Sequence, residues 1–201
     1  MASPELPPPV PTHASSEPSP WLQRWAHLLP AGGRVLDVAC GRGRHLRWLA
    51  AQGWRLTGMD RDAAALASLA DLGAQATLIE ADIERGPWPC AGLEFDAVLV
   101  TNYLWRPLWP QLLASLAPGG VLIYETFTAG NETVGKPSRP DFLLQPGELL
   151  ARCAALHLIA YENGFLDAPP RFVQRVVAQR PGASIDDAPP RHALVGPVRA
   201  A

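Results

Sequence analysis

Val35-Leu36-Asp37-Val38-Ala39-Cys40-Gly41-Arg42-Gly43 decides how this chain is read. An apolar run broken by one acid predicts a short strand over 34–38, the two glycines predict a tight turn, and 44–52 has the periodicity of a helix closed by Gly53. In an open parallel sheet, ligands bind in the crevice at the carboxyl ends of the strands. Gly41 and Gly43 would let the main chain approach a ligand there without an obstructing Cβ. A tight strand-to-helix turn alone would account for the glycines, but not for their company. Asp60 closes a second strand and Asp82 a third, so three carboxylates end three successive strands on one face of one crevice.

Outward from that turn the chain alternates strands and helices. Strands are predicted at 55–59 and 76–80, with a helix at 62–72 stopped by Gly73 between them, and a fourth strand at 95–100. A helix around 108–116 runs into Pro118-Gly119-Gly120, read as a turn that feeds a fifth strand over 121–127. After a long irregular stretch, 147–155 looks helical, and strands follow at 156–161 and 172–179. About ten residues join these last two, too few for a parallel crossover, so they should form an antiparallel hairpin. Upstream, Ser19 as cap and Pro20 at the first helical position introduce an amphipathic helix over 20–29. The Pro-rich residues 1–18 and 181–201 read as disordered tails around one domain over 19–180.

Composition narrows the function classes. The 201 residues suit one α/β domain, and a formal charge of −2 with scattered basic residues offers no footprint for nucleic acid or an anionic membrane. No apolar run approaches the roughly 18 residues of a membrane span, and the first twenty residues lack a signal peptide's basic and apolar regions; the expected location is cytoplasmic. Cys40, Cys90 and Cys153 form no CxxC pair and the five histidines are dispersed, so no metal is expected. A dinucleotide site is the first rival, because an acid after strand two also binds ribose in such enzymes. However, the third position of that fingerprint wants Gly or Ala for close packing, and Leu46 stands there. No GxxxxGK[ST] loop exists.

VLDVACGRG at 35–43, Asp60, Asp82 in EADI, FDAVLV at 95–100 and LAPGG before the fifth strand together resemble the class I S-adenosylmethionine (SAM) dependent methyltransferases. The resemblance covers residues 32–180. More narrowly, YETF at 124–127, Gly135-Lys136-Pro137 and PDFLLQPGEL at 140–149 are similar to small bacterial methyltransferases grouped with the tellurite-resistance methyltransferases. The resemblance implies a Rossmann-like α/β fold: a seven-stranded sheet of order 3-2-1-4-5-7-6, strand seven antiparallel, with helices on both faces. It also implies SAM as cofactor across the ends of strands one to four and a small-molecule methyl acceptor, in a monomer or homodimer that takes no nucleic acid or membrane as partner.

Carried over residue by residue, Asp37, Ala39, Cys40, Gly41 and Gly43 would hold the methionine moiety. Asp60 would take the ribose hydroxyls, Met59 and Arg61 would flank the adenine, and Asp82 with the Ile83 backbone would read its edge. Asn102 and Tyr103 follow strand four where the transferable methyl should project, and Tyr103 and Trp105 offer aromatic faces to a cation. Trp and Tyr equally serve as core mass with Trp109. His45 is read as either a cofactor contact or a satisfied surface residue. The 126–145 loop is long enough to be a lid or binding loop. Tyr103, Glu125 and Arg171 are the catalytic candidates, although Glu125 and Arg171 at strand ends can simply pair or solvate. Methyl transfer by in-line displacement needs alignment and exclusion of water; a general base is optional. Two other readings stay open: a SAM-binding regulator without turnover, and a dinucleotide-dependent oxidoreductase. A nucleic-acid methyltransferase is weakened further, because Thr101-Asn102-Tyr103-Leu104 replaces an (N/D)PP(Y/F) motif.

Overall fold

A computed structural model of the chain describes residues 17–182 and 190–196. The expected tails fall mostly outside the described residues, at 1–16, 183–189 and 197–201. The described part of the second tail, 190–196, lies against the body: the Ala193 carbonyl is 2.9 Å from His27 Nε2, and the His192 ring lies 5.4 Å from that of His157.

Seven strands form one sheet in the order β3-β2-β1-β4-β5-β7-β6. They are β1 (Arg34–Val38), β2 (Arg55–Asp60), β3 (Ala76–Glu80), β4 (Phe95–Thr101), β5 (Leu116–Phe127), β6 (His157–Asp167) and β7 (Pro170–Gln179). β1 to β5 pair in parallel; β7 runs antiparallel to both β5 and β6. The sheet order and the reversed last strand match the expectation.

Strand alternation divides the core in two. Val35, Ala97, Leu99, Val121, Ile123 and Val177 point to one face, under Trp21, Leu22 and Trp25 of α1 (Pro20–Trp25), Leu46 and Leu49 of α2 (Arg44–Ala50), and Leu66 of α3 (Ala63–Ala67). Leu36, Val38, Val98, Val100, Leu122 and Tyr124 point to the other. There they meet Trp109 and Leu112 of α4 (Trp109–Ala114) and Leu149 of α5 (Glu148–Arg152). Both faces are buried, which is why the parallel strands read as nearly continuous apolar runs. Local signals place the ends: the Ser19 hydroxyl accepts from the Trp21 amide ahead of Pro20, and the Asp62 carboxylate accepts from the Ala65 amide.

Three expectations differ in detail. The predicted helix over 62–72 is a five-residue helix followed by a 3-10 segment, Ala70–Gln75, with Gly73 at φ 51° breaking it. Pro118-Gly119-Gly120 is a bulge inside a continuous β5, not a turn before it. Phe95 pairs with Leu116 and Ala97 with Val121, and a Cβ on Gly120 would lie 2.8 Å from the Phe95 carbonyl oxygen. The β6–β7 hairpin is far tighter than the ten-residue link read from Gly164, Pro169 and Pro170, since pairing continues to Asp167↔Pro170 and leaves two residues, with Pro169 in cis.

Candidate functional site

The glycine turn sits at the carboxyl end of β1 and is latched to β2. The Cys40 amide donates to the Met59 carbonyl at 2.9 Å, and the Gly41 amide donates to Asp60 Oδ2 at 2.8 Å. Asp60 Oδ1 accepts from the Asp62 amide. Both carboxylate oxygens keep lone-pair capacity toward the cavity that Asp60 lines. Gly43 enters α2 at φ 68°, and a Cβ there would lie 2.5 Å from Leu69 Cδ2. Beside Gly41, at φ 54°, a Cβ would meet nothing within 4 Å, so the loop borders open space.

Two non-glycine residues adopt left-handed backbone, Ala39 at φ 55° and Asn102 at φ 57°. They stand at the ends of the adjacent strands β1 and β4. Strain of this kind, about 1 kcal/mol or more per residue, persists where surrounding structure imposes it and clusters at ligand sites. The Asn102 amide is tied to the Glu125 carbonyl oxygen at 2.9 Å.

Between these strand ends lies a cavity of about 380 Å³, lined on one side by Ala39, Asp60, Arg61, Asp82, Ile83 and Glu84 and on the other by Asn102, Tyr103, Leu104, Thr126, Phe127, Pro137 and Phe142. Seven of the expected residues therefore meet around one space: Ala39, Asp60, Arg61, Asp82, Ile83, Asn102 and Tyr103. Asp37, Cys40, Gly41, Gly43 and His45 stand behind or beside it. Met59 does not flank it; the side chain is fully buried in the α4/α5 core, because it alternates with Gly58 and Asp60 and so points through the opposite face of the sheet. Trp109 is likewise core, stacked on Tyr124 at 5.0 Å.

Asp37 is the most telling member. It is 1% exposed, yet its Oδ2 has no hydrogen-bond partner among the described residues; His45 Nδ1 lies 3.5 Å away, and His45 Nε2 also lacks a hydrogen-bond partner. An unpartnered buried carboxylate oxygen costs stability unless a ligand supplies its partner. An ammonium group arriving over the glycine loop would do so.

The catalytic candidates are differently engaged. Tyr103 Oη donates to Glu84 Oε1 at 3.3 Å across the cavity, and burial, followed by the Glu84 charge, pushes the phenol well above its ordinary pKa. Glu125 is buried and held from two sides: Ser19 Oγ donates to Oε1 at 2.9 Å and Arg175 Nη1 to Oε2 at 3.1 Å. Its ion-pair partner is Arg175 rather than Arg171. Arg171 is half-buried at the start of β7. Burial pushes the Cys40 thiol up, as do the nearby Asp37 and Asp60 charges, so Cys40 contributes backbone rather than a thiolate.

The long loop after β5 is a built wall. Asn131, buried, donates from Nδ2 to the Pro137 carbonyl and accepts at Oδ1 from the Phe172 amide. Arg106 forks onto both oxygens of Glu148 and reaches the Asp141 and Leu143 carbonyls. Pro137 and Phe142 are thereby set against the cavity. Glu84 and Leu104 had no individual signal in the sequence; Thr126, Pro137 and Phe142 lie in the YETF, Gly-Lys-Pro and PDFLLQPGEL stretches and in the long loop, which marked the segment without giving any of them a role.

Sheet order, reversed β7, glycine turn and strand-end acids define the class I SAM-dependent methyltransferase fold. Residues 35–120, just under half of the chain, match the family model described as a methyltransferase domain. A curated relative, trans-aconitate 2-methyltransferase of Paracidovorax citrulli (strain AAC00-1), is 37% identical over 102 residues, covering 47% of this chain and 38% of the relative. TehB from Haemophilus influenzae superposes with a TM-score of 0.63 at 18% identity, over 75% of this chain and 58% of that one. The glycopeptide N-methyltransferase MtfA, complexed with S-adenosylhomocysteine (SAH), gives 0.55 at 18% identity, over 76% and 84%. The chain spans well under two thirds of the length of the curated relative.

The residues present fit SAM, the cofactor that the resemblance implies. Asp37 offers a bare anionic oxygen for the ammonium group of the methionine end, the Gly41 backbone leaves room for it, and Asp60, Asp82 and the Ile83 backbone supply hydrogen-bonding groups along one cavity wall.

Proposed function

We propose that the protein is a SAM-dependent methyltransferase that acts on a small-molecule acceptor by in-line displacement. The observation that carries this reading is the buried, unpartnered Oδ2 of Asp37 beside the open glycine turn of a class I fold. A small acceptor takes support from the modest cavity and from the relative named for trans-aconitate. Among the described residues no helix is long and apolar enough to cross a membrane. With that, the reading places the protein in the cytoplasm, as a monomer or homodimer built around a single domain over 19–180.

SAM supplies a methyl group on a positively charged sulfur whose departure leaves a neutral thioether. The chain's own residues orient and enclose. Asp37 fixes the ammonium end, Asp60 the ribose hydroxyls, and Asp82 with the Ile83 amide the adenine edge; charged hydrogen bonds of this kind contribute about 1.5–3 kcal/mol each. Phe127, Pro137 and Phe142 wall the cavity opposite, which keeps water away from the reacting atoms. Tyr103 keeps its proton and acts as donor and spacer, and Glu125 is consumed by Ser19 and Arg175, so neither is a ready base. The acceptor therefore brings its own nucleophilic lone pair, as an anion or a soft atom does.

The test is SAH release from purified protein with SAM and a panel of thiol, selenite, carboxylate and amine acceptors. Turnover by an anionic or soft acceptor, abolished in Asp37→Ala, supports the reading. SAM that binds tightly but yields no SAH with any acceptor moves the assignment to a SAM-binding regulator.

A further inference from the structure

Two of the buried side-chain atoms that lack a hydrogen-bond partner among the described residues belong to one pair, Asp37 Oδ2 and His45 Nε2. The backbone sets the pair. Asp37 shares its strand face with Val35, so by the two-residue period of a strand it points to the α1/α2 side of the sheet. His45 is the second residue of α2, which begins directly after Gly43 at φ 68°. Ring and carboxylate are both almost fully buried, and His45 Nδ1 stands 3.5 Å from Asp37 Oδ2. That separation is longer than a hydrogen bond and short enough for an ion pair.

The neighbouring ionisable groups are engaged elsewhere or fixed in charge. Asp60, at the end of β2, holds the Gly41 and Asp62 amides, and Arg55, at the far end of that strand, donates to the Gly32 carbonyl. From the 3-10 segment packed on α2, Asp71 pairs with Arg47. On β5, Glu125 is held by Ser19 and Arg175. Burial and the nearby carboxylates keep the Cys40 thiol neutral. Arg44, beside His45 on α2, keeps its charge as a guanidinium does. His45 is the one imidazole among these groups, the side-chain type that exchanges a proton near neutral pH. With both nitrogens protonated the ring is a cation that answers the Asp37 charge; with one proton it is neutral and leaves Oδ2 bare. An arriving ammonium group needs the second state, because a cation already at that oxygen would both occupy its partner and repel it.

We propose that His45 is a positioning residue that acts through Asp37: the subsite for the methionine end takes the cofactor's ammonium group only when the imidazole is neutral, so that binding at mildly acid pH expels one proton from His45 to solvent. The inference rests on the reading that Asp37 takes the ammonium group, and it goes further by making the cofactor's affinity proton-dependent. The adenosine half, at Asp60 and Asp82, does not meet the pair and carries no such dependence.

The test is calorimetry of the full chain with SAH, and with 5′-methylthioadenosine, which lacks the amino-acid end, at about pH 7.5 and about pH 5.5. SAH affinity is expected to fall about tenfold between the two, while that of methylthioadenosine holds. In buffers of different ionisation enthalpy, SAH binding at the lower pH should release close to one proton. His45→Gln, neutral throughout, should bind SAH equally at both pH values. In the wild-type chain, the His45 ring signal in NMR should titrate in the free protein and cease to do so when SAH is saturating; this decides the matter if the variant does not fold. Wild-type SAH affinity equal at both pH values, a fall that persists in His45→Gln, an equal fall for methylthioadenosine, or a ring signal that titrates alike with and without SAH would each overturn the proposal alone. Failure of SAH to bind at either pH would overturn the cofactor reading and this proposal with it.

Discussion

The proposed function gives Asp37 opposite duties in the free and liganded protein. Its buried oxygen weakens the apo fold, so Asp37→Asn should raise apo stability by about 1–2 kcal/mol in denaturant melts. The same change should weaken SAH by about tenfold or more, since the ammonium loses its charge partner. A variant that is less stable and still binds SAH would show that Asp37 is a structural residue. Asp37, Asp60 and Asp82 were legible because an acid after an apolar run is a pattern in one dimension. Met59 was misplaced because its neighbourhood in sequence says nothing about which face of the strand it takes; the parity that sends Asp60 to the cavity sends Met59 into the core. Glu84 and Thr126 were illegible singly, since only the assembled strand ends bring them to the same space.

At the scale of elements, Leu46 illustrates how a local rule finds another solution. A dinucleotide fingerprint places a small residue on the helix for close packing; here the small residue is Gly58, on β2. A Cβ at position 58 would lie 2.5 Å from Leu46 Cδ1 and 3.1 Å from Cys40 Sγ. Gly58→Ala should therefore cost about 1–3 kcal/mol of stability, and Leu46→Ala should be less damaging in the Gly58→Ala background than alone. Additive losses in a double-mutant cycle would contradict that packing.

The loop wall depends on Glu148. Burial raises its pKa, but the Arg106 fork and the Gln145 amide outweigh this and hold the carboxyl below the usual range. A depressed folded-state pKa contributes stability above the unfolded value, near 4.3, that is lost as pH falls through the lower folded value. Acidification below about pH 4 should thus loosen the 139–148 wall, seen as faster amide exchange there, and Glu148→Gln should flatten that acid response. The bulge at Pro118-Gly119-Gly120 was read as a turn because Pro-Gly-Gly is turn chemistry; that β5 runs through it is imposed by Phe95 on one side and Arg180 on the other. The Arg180 amide donates to Gly120 and the Gly119 amide to Arg180.

Across the whole molecule, the reversed edge was legible because a ten-residue link cannot be a parallel crossover, whereas the sheet order came only with the family resemblance. The full cavity lining was not legible, because it joins Glu84, the end of β4 and Thr126, Phe127, Pro137 and Phe142, which meet only in the folded chain. A cofactor held as proposed would bridge loops from β1, β2, β3 and β4, so it should stabilise the domain as one unit. At roughly 100 times its dissociation constant, SAH should add about 2.7 kcal/mol and raise the melting temperature by about 5–10 °C.

Calorimetric titration of the purified chain with SAM, SAH and NAD, beside an Asp60→Ala variant, tests the central claim most directly. Binding of SAM and SAH in roughly the micromolar range, lost in the variant, is the predicted result. A folded protein that ignores SAM and SAH, or that binds NAD instead, would contradict it.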